Sequence, residues 1–455
     1  MRSTTLLCGL LTTATASAQW TLATPATTPP ARSDAVMTFD LGAGRTMLFG
    51  GAPIGSLALR NDTWLYDGVD WTLTTPATSP TGRLAAGMAN DFARGRTVLF
   101  GGITSQISIA LPNNQTWEWD GANWAQITPA HSPAGLAYHA MCYDAIRGRV
   151  VLYGGSPNPG LLATSNQTWE FDGVDWTQVA TAANPGGLQR PAMCFFTTLN
   201  RTVLFGGINP QTGGNSNTWS YDGTNWTQIA TGPVRPSPRG GALMAYDSQR
   251  NFAVMYGGSD PVLGTSLSET WQFDGANWHA VEGAQPAARN RFTMAYDLVR
   301  GQFVMHGGVA TGNVALTDTN ELSAFVTDRG AGCAGSNGVP ALSGVTAPRI
   351  GGAFASNLTN LVPNIGLGAI AVGLFPNTPS TPLDTYGMPG CQLHVQVAAL
   401  LFLGEANGVV TAQFAIPNDP GLFGTTVLQQ GLSFDSGLNA AGLAVSNAIA
   451  ATIGW

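Results

Sequence analysis

A glycine pair returns along this chain at near-constant intervals, and no other feature constrains the fold as tightly. The pairs are Gly50-Gly51, Gly101-Gly102, Gly154-Gly155, Gly206-Gly207, Gly257-Gly258 and Gly307-Gly308, separated by 51, 53, 52, 51 and 50 residues. Each follows a short apolar run and precedes a long loop. Next comes Thr-Trp-x-aromatic-Asp-Gly-x-x-Trp, written in full at 168–176 as TWEFDGVDW. A fixed period of about 50 residues marks a repeat architecture whose units stack their faces on one another.

Each repeat reads as four short strands. The first carries Met37, Met88, Met141, Met193, Met244 or Met294, followed by a small residue and usually an aromatic. Alternation with period two puts Met and aromatic on one face and the small residue on the other. Asp40, Asp91, Asp144, Asp247 and Asp297 then open tight turns, where a carboxylate accepts backbone N–H groups. The second strand runs into the glycine pair. The third begins near Trp64, Trp117, Trp169, Trp219 and Trp271, and the fourth at Trp71, Trp124, Trp176, Trp226 and Trp278. Strands one to three occur six times, but the fourth follows its own third strand only five times. The missing copy lies at the other end: WTLATPA at 20–26 parallels WTLTTPA at 71–77. The sixth sheet is therefore expected to combine Glu321–Val326 with Trp20–Leu22, which leaves no open edge at the seam.

The glycine pair, the Asn-Asp/Gln-Thr-Trp run and the paired aromatic and Trp resemble bacterial kelch-repeat proteins, whose propeller is that of the central domain of galactose oxidase. The aromatic-to-Trp interval (Tyr66–Trp71) is shorter than in many kelch repeats, which tightens only a hairpin. The resemblance covers about residues 20–327. It implies an all-β, six-bladed kelch β-propeller over 19–327 and says little about function.

Beyond residue 327 the composition shifts: Trp is absent until Trp455, and charges become sparse. Apolar runs at 367–374, 393–403, 409–416, 427–434 and 443–453 predict a smaller β-sandwich over 328–455. GCAGS at 332–336 and GMPGC at 387–391 resemble a C-terminal domain found on exported proteins of uncharacterised bacterial families. Cys333 and Cys391 are the only cysteines of this segment. Paired as a disulfide, they would close a loop of about 58 residues, worth roughly 3–4 kcal/mol.

Residues 1–18 read as a cleavable export signal: Arg2, an apolar Leu6–Leu11 stretch, and Ala16-Ser17-Ala18 before Gln19. Closure by Trp20–Leu22 then requires its removal. The expected compartment is secreted, periplasmic or cell envelope, with no membrane-spanning segment. All 19 basic residues are arginines against 26 acidic ones, for a net charge of −7 and no basic cluster, so a nucleic-acid partner is not expected.

Antiparallel topology puts the loops between strands two and three on the same face as the links between blades. Arg32, Arg83, Arg239 and Arg289 sit five residues before the repeat Met on that face. Arg190 and His139 lie nearby in the two repeats that have Leu136 and Leu188 instead. The functional reading makes them a ring of anion or polar-ligand contacts at the channel mouth, since guanidinium forks suit carboxylates and sulfates. The structural reading makes each arginine a staple between blades or a loop cap, and recurrence with the repeat favours it. Likewise the six methionines read as fillers between blades rather than thioether ligands. Cys142 and Cys194 read as small buried packing residues, and the Asp-Gly-x-Asp/Asn turns as hairpins rather than calcium loops.

The five histidines lack metal spacing, so the paired-His copper site of a radical oxidase is rejected and no cofactor is expected. The leading reading is an exported, non-catalytic binding protein that meets a protein or carbohydrate ligand on its loop face. The alternatives are a carbohydrate-active enzyme of the six-bladed kelch kind, sialic acid epimerase-like, with Arg239, Arg289 and His139 nearest its chemistry, and a structural spacer.

Overall fold

The computed structural model is built almost entirely of antiparallel strands. It describes residues 19–323 apart from 57, 106–110 and 282–283. Beyond these it describes 326–329, 340–344, 353–359, 361, 367–374, 376–384, 388, 392–395, 397–404, 409–416, 426–435 and 443–452. The export segment 1–18 and both Cys333 and Cys391 lie outside the described residues. The chain divides into two compact units, one of them Gln19–Ser323.

That unit is six four-stranded sheets, here called blades 1 to 6 in chain order. Their first strands are Val36–Asp40, Gly87–Asp91, Ala140–Asp144, Ala192–Phe196, Leu243–Asp247 and Thr293–Asp297. Each first strand touches the first strands of both neighbouring blades, and blade 6 touches blade 1, so the ring is closed. The first strands surround a central channel; the fourth strands lie outermost. Blade 6 takes its fourth strand from Gln19–Ala23, paired in register Trp20↔Leu322 with Thr319–Ser323. The expected third strand 321–326 is thus corrected. The strand stops at Ser323, and Val326–Arg329 pairs instead with Leu443–Thr452 in the second unit.

Two features of the repeat hold neighbouring blades together. The first is the fourth-strand Trp, whose indole is buried while the residues after it face solvent. Its Nε1–H donates to the third-strand Thr of the preceding blade: Trp124 to Thr63, Trp176 to Thr116, Trp226 to Thr168, Trp278 to Thr218, Trp20 to Thr270 and Trp71 to Thr319, all at 2.8–3.0 Å. Each such ring also lies 4.9–5.3 Å from the preceding blade's aromatic before the glycine pair, or from His306 in blade 6. A buried indole needs a partner for its N–H, and the Thr hydroxyl supplies one at about 1 kcal/mol net per bond.

The second is the glycine pair itself. Both residues have positive φ, and a Cβ on Gly50, Gly101, Gly154, Gly206 or Gly257 would come within 2.5–2.8 Å of a carbonyl oxygen of the next link. The bare backbone lets the second glycine donate to that carbonyl, as Gly51 N–H does to Arg83 O at 2.8 Å. The methionines fill the spaces between blades: Met193 packs with Cys142 of blade 3, and Met88 with Met47 and Phe49 of blade 1.

The second unit has a five-stranded sheet and a three-stranded sheet, with a separate two-stranded ribbon. Leu342, Phe354, Leu358, Val410 and Ala412 of the smaller sheet share one core with Ile370, Ile449 and Ala451 of the larger, which is sandwich packing. The run expected at 393–403 is two strands, Gln392–Val395 and Ala399–Gly404.

Candidate functional site

The channel encloses a cavity of about 510 Å³ lined along its length by the six first strands and the residues just before and after them. Its loop-face mouth is narrowed by a collar. Asp34, Ala85, Tyr138, Arg190, Gly241 and Arg291 each lie three residues before the repeat Met, and all have φ between 53° and 70°. Their backbones chain around the axis. Asp34 N–H donates to Arg291 O, Ala85 to Asp34 O, Tyr138 to Ala85 O, Arg190 to Tyr138 O and Gly241 to Arg190 O, at 2.7–3.0 Å. The left-handed conformation costs an L-residue roughly 1–2 kcal/mol, so five such residues in one ring are held there by these bonds.

Side chains add to the collar. Arg190 of blade 4 reaches Asp34 of blade 1, on the opposite side of the ring, with Nη1 2.7 Å from Oδ1. Its guanidinium lies 4.0 Å from the centre of the Tyr138 ring. Burial alone would lower the arginine's pKa, but Asp34 and Tyr138 hold it above the ordinary value. Arg291 Nε stands 3.9 Å from the other Asp34 oxygen, and its side chain is half exposed.

The expected ring of six ligand-binding residues is not what the structure brings together. His139 and Arg190 line the channel. Arg32, Arg83, Arg239 and Arg289 do not, and each is at most 2% exposed. Each donates Nη1–H to the carbonyl of the first glycine in its own blade: Gly50, Gly101, Gly257 and Gly307. Each Nε–H donates to the carbonyl two residues back, and Nη2 donates to the residue two before the third-strand Trp, or before Asn320 in blade 6. These partners are Asp62, Gln115, Glu269 and Asp318. The same arginine's own carbonyl accepts from the preceding blade's second glycine. These four are staples, and Leu136 and Leu188 occupy the equivalent buried sites in blades 3 and 4.

Electrostatics follow this pairing. Burial raises the pKa of Asp62 and of Asp318, but hydrogen bonds and charge from Arg32 and Arg289 outweigh it and hold both carboxyls below the usual range. Arg83 faces neutral amides, and burial lowers it to about 10. Cys142 and Cys194 are free and buried, and burial pushes the Cys142 thiol up to about 12. In the Asp-Gly turns the Asp oxygen accepts two backbone N–H groups, as Asp67 does from Val69 and Asp70.

Sequence reasoning passed over Asp34, Tyr138 and Arg291. The position three before Met varies from blade to blade, but so do the positions on either side of it, so the sequence alone did not single it out. It also passed over Arg94, Arg147 and Arg300, which pair with the turn carboxylates and reach across to the third-strand ring of the next blade. Among the described residues no three His, Cys, Asp or Glu side chains are grouped to hold a metal ion, and no helix is long and apolar enough to cross a membrane.

No curated protein matches the chain. Residues 87–308, from the first strand of blade 2 to the last glycine pair, match the family model of the KLHDC2/KLHL20/DRC7 Kelch-repeats domain. Over residues 87–308 this chain is similar to a kelch-repeat domain, and its six closed blades and recurring glycine pairs fit that likeness.

Proposed function

We propose that this chain is an exported, non-catalytic binding protein whose kelch propeller meets a protein partner through its loop face. One observation carries the reading. The long loops and links of blades 2 to 6 hold Leu111, Leu162, Val234, Val262, Leu263 and Val314 out in solvent, with Val262 89% exposed. Val262 and Leu263, adjacent in one loop and both largely exposed, suit a protein surface better than a sugar. Kelch domains as a class serve protein binding, which favours the same reading. Export is supported by the A-x-A site ending at Ala18, with the closing strand opening at Gln19.

The enzyme alternative loses two of its three nearest groups, while His139 still lines the channel. Arg239 and Arg289 are consumed by Glu269 and Asp318 and do not reach the channel.

The test is a binding comparison with the secreted proteins of the source cell. The Val262→Asp/Leu263→Asp chain is expected to lose at least tenfold in affinity for any partner the parent captures. Val69→Asp/Val174→Asp, on the opposite face, is expected to keep it. A partner held equally by both variants overturns the loop-face assignment. A thermal shift with a small sugar, abolished by Arg190→Ala, would replace it with a channel-mouth ligand site.

A further inference from the structure

His139 is 7% exposed, lines the channel, and has no hydrogen-bond partner at either ring nitrogen among the described residues. A buried polar group left so costs about 1–3 kcal/mol and calls for an explanation. The other blades carry Ala35, Ala86, Pro191, Ala242 and Phe292 at this position, so the repeat does not need an imidazole there.

Met141 follows two residues later and shares the face of His139. Opposite them in blade 2 stands Gly87, where the other blades have Val36, Ala140, Ala192, Leu243 and Thr293. A Cβ on Gly87 would lie 2.5 Å from His139 Nε2 and 2.5 Å from Met141 Sδ, so the nitrogen and sulfur are at most about 5 Å apart. The missing side chain leaves the two atoms facing a common space.

We propose that His139 Nε2 and Met141 Sδ form a two-donor site for a soft monovalent cation, Cu(I) or Ag(I), in the channel wall between blades 2 and 3. An imidazole nitrogen with a thioether selects soft d10 ions over Ca²⁺ or Mg²⁺, which require oxygen donors. Metal–nitrogen and metal–sulfur bonds of about 2.0 and 2.3 Å place collinear donors about 4.3 Å apart, inside the limit set by Gly87. Met141 differs from its counterparts in one respect: it is partly buried in its cluster while Met88 and Met193 are fully buried.

The test titrates Ag(I), which is redox-inert here, into the full chain carrying Cys8→Ala, Cys142→Ala, Cys194→Ala, Cys333→Ala and Cys391→Ala, so that no thiol competes. In that background His139→Phe and Met141→Leu are each expected to weaken one equivalent at least tenfold, and Gly87→Ala to remove it by filling the space. Phe at 139 has a precedent in Phe292 of blade 6, and circular dichroism confirms that each variant is folded. X-ray absorption of the chain loaded with one equivalent of Cu(I) is expected to show one nitrogen and one sulfur donor. A folded His139→Phe chain that titrates like its parent, or an absorption spectrum with sulfur donors alone, overturns the proposal and leaves the buried ring to an ordered water.

Discussion

At the scale of single residues, the buried imidazoles matter most for pH behaviour. Burial pushes both His139 and His306 down to about 3, while an unfolded chain titrates His near 6.5. Between those values the unfolded state binds more protons than the folded one. Stability is therefore complete above about pH 6.5 and falls as the pH drops toward 3. The carboxyls of Asp62, Glu269 and Asp318 act lower down. Their folded pKa values lie below the usual range, so their contribution is present above the unfolded carboxylate range and disappears as the pH falls through the folded values. The two windows separate the groups. His306→Phe with His139→Phe restores residues found elsewhere in the repeat, and is expected to raise the urea midpoint at pH 5 relative to pH 7. A parent and double variant with the same ratio of midpoints would mean that these rings do not govern the slope. The same scale shows why recurrence is a poor guide to binding. Arg32, Arg83, Arg239 and Arg289 recur as staples of four blades, and their forks are saturated before a ligand arrives.

At the scale of elements, the closing strand Gln19–Ala23 is the one whose loss should be felt across the ring. It supplies five residues of pairing to Thr319–Ser323, the Trp20 indole between blades 5 and 6, and the Trp20–Thr270 hydrogen bond. Removing it opens a sheet edge and a cleft the size of an indole. A chain starting at residue 24 is expected to lose at least the 3–5 kcal/mol of a Trp→Ala change and to aggregate through the freed edge. Trp20→Phe should retain the packing and lose about 1 kcal/mol for the indole bond. Denaturant midpoints for the two variants measure the difference. A truncated chain as stable as the full one would place blade closure elsewhere. The fourth strands were legible in advance because Trp is rare and its interval is fixed. Where the third strand of blade 6 stops was not. Ser323 and Val326 belong to different sheets, and no local propensity separates them.

At the scale of the whole molecule, the chain comprises two units with their own cores, and Gln19–Ser323 carries all six blades. Every blade finds both neighbours inside that range, so a fragment 19–323 is expected to unfold in a single cooperative transition with the midpoint it has in the full chain. A fragment that is unfolded, or that melts well below the parent, would show that the propeller depends on residues beyond Ser323. What the sequence determined by itself is the set of features that recur. The number of blades, the tryptophan seams, the turn carboxylates and the split sixth blade all follow from a period, because each repeat must bury the same faces against the next. What only the tertiary structure decided is where unlike residues meet. The Asp34–Arg190 pair spans blades 1 and 4, Tyr138 lies under Arg190, and His139 with Met141 faces the space left by Gly87. A period describes what is common to all blades, whereas the channel axis joins the positions at which they differ, and only closure of the ring brings those within bonding distance.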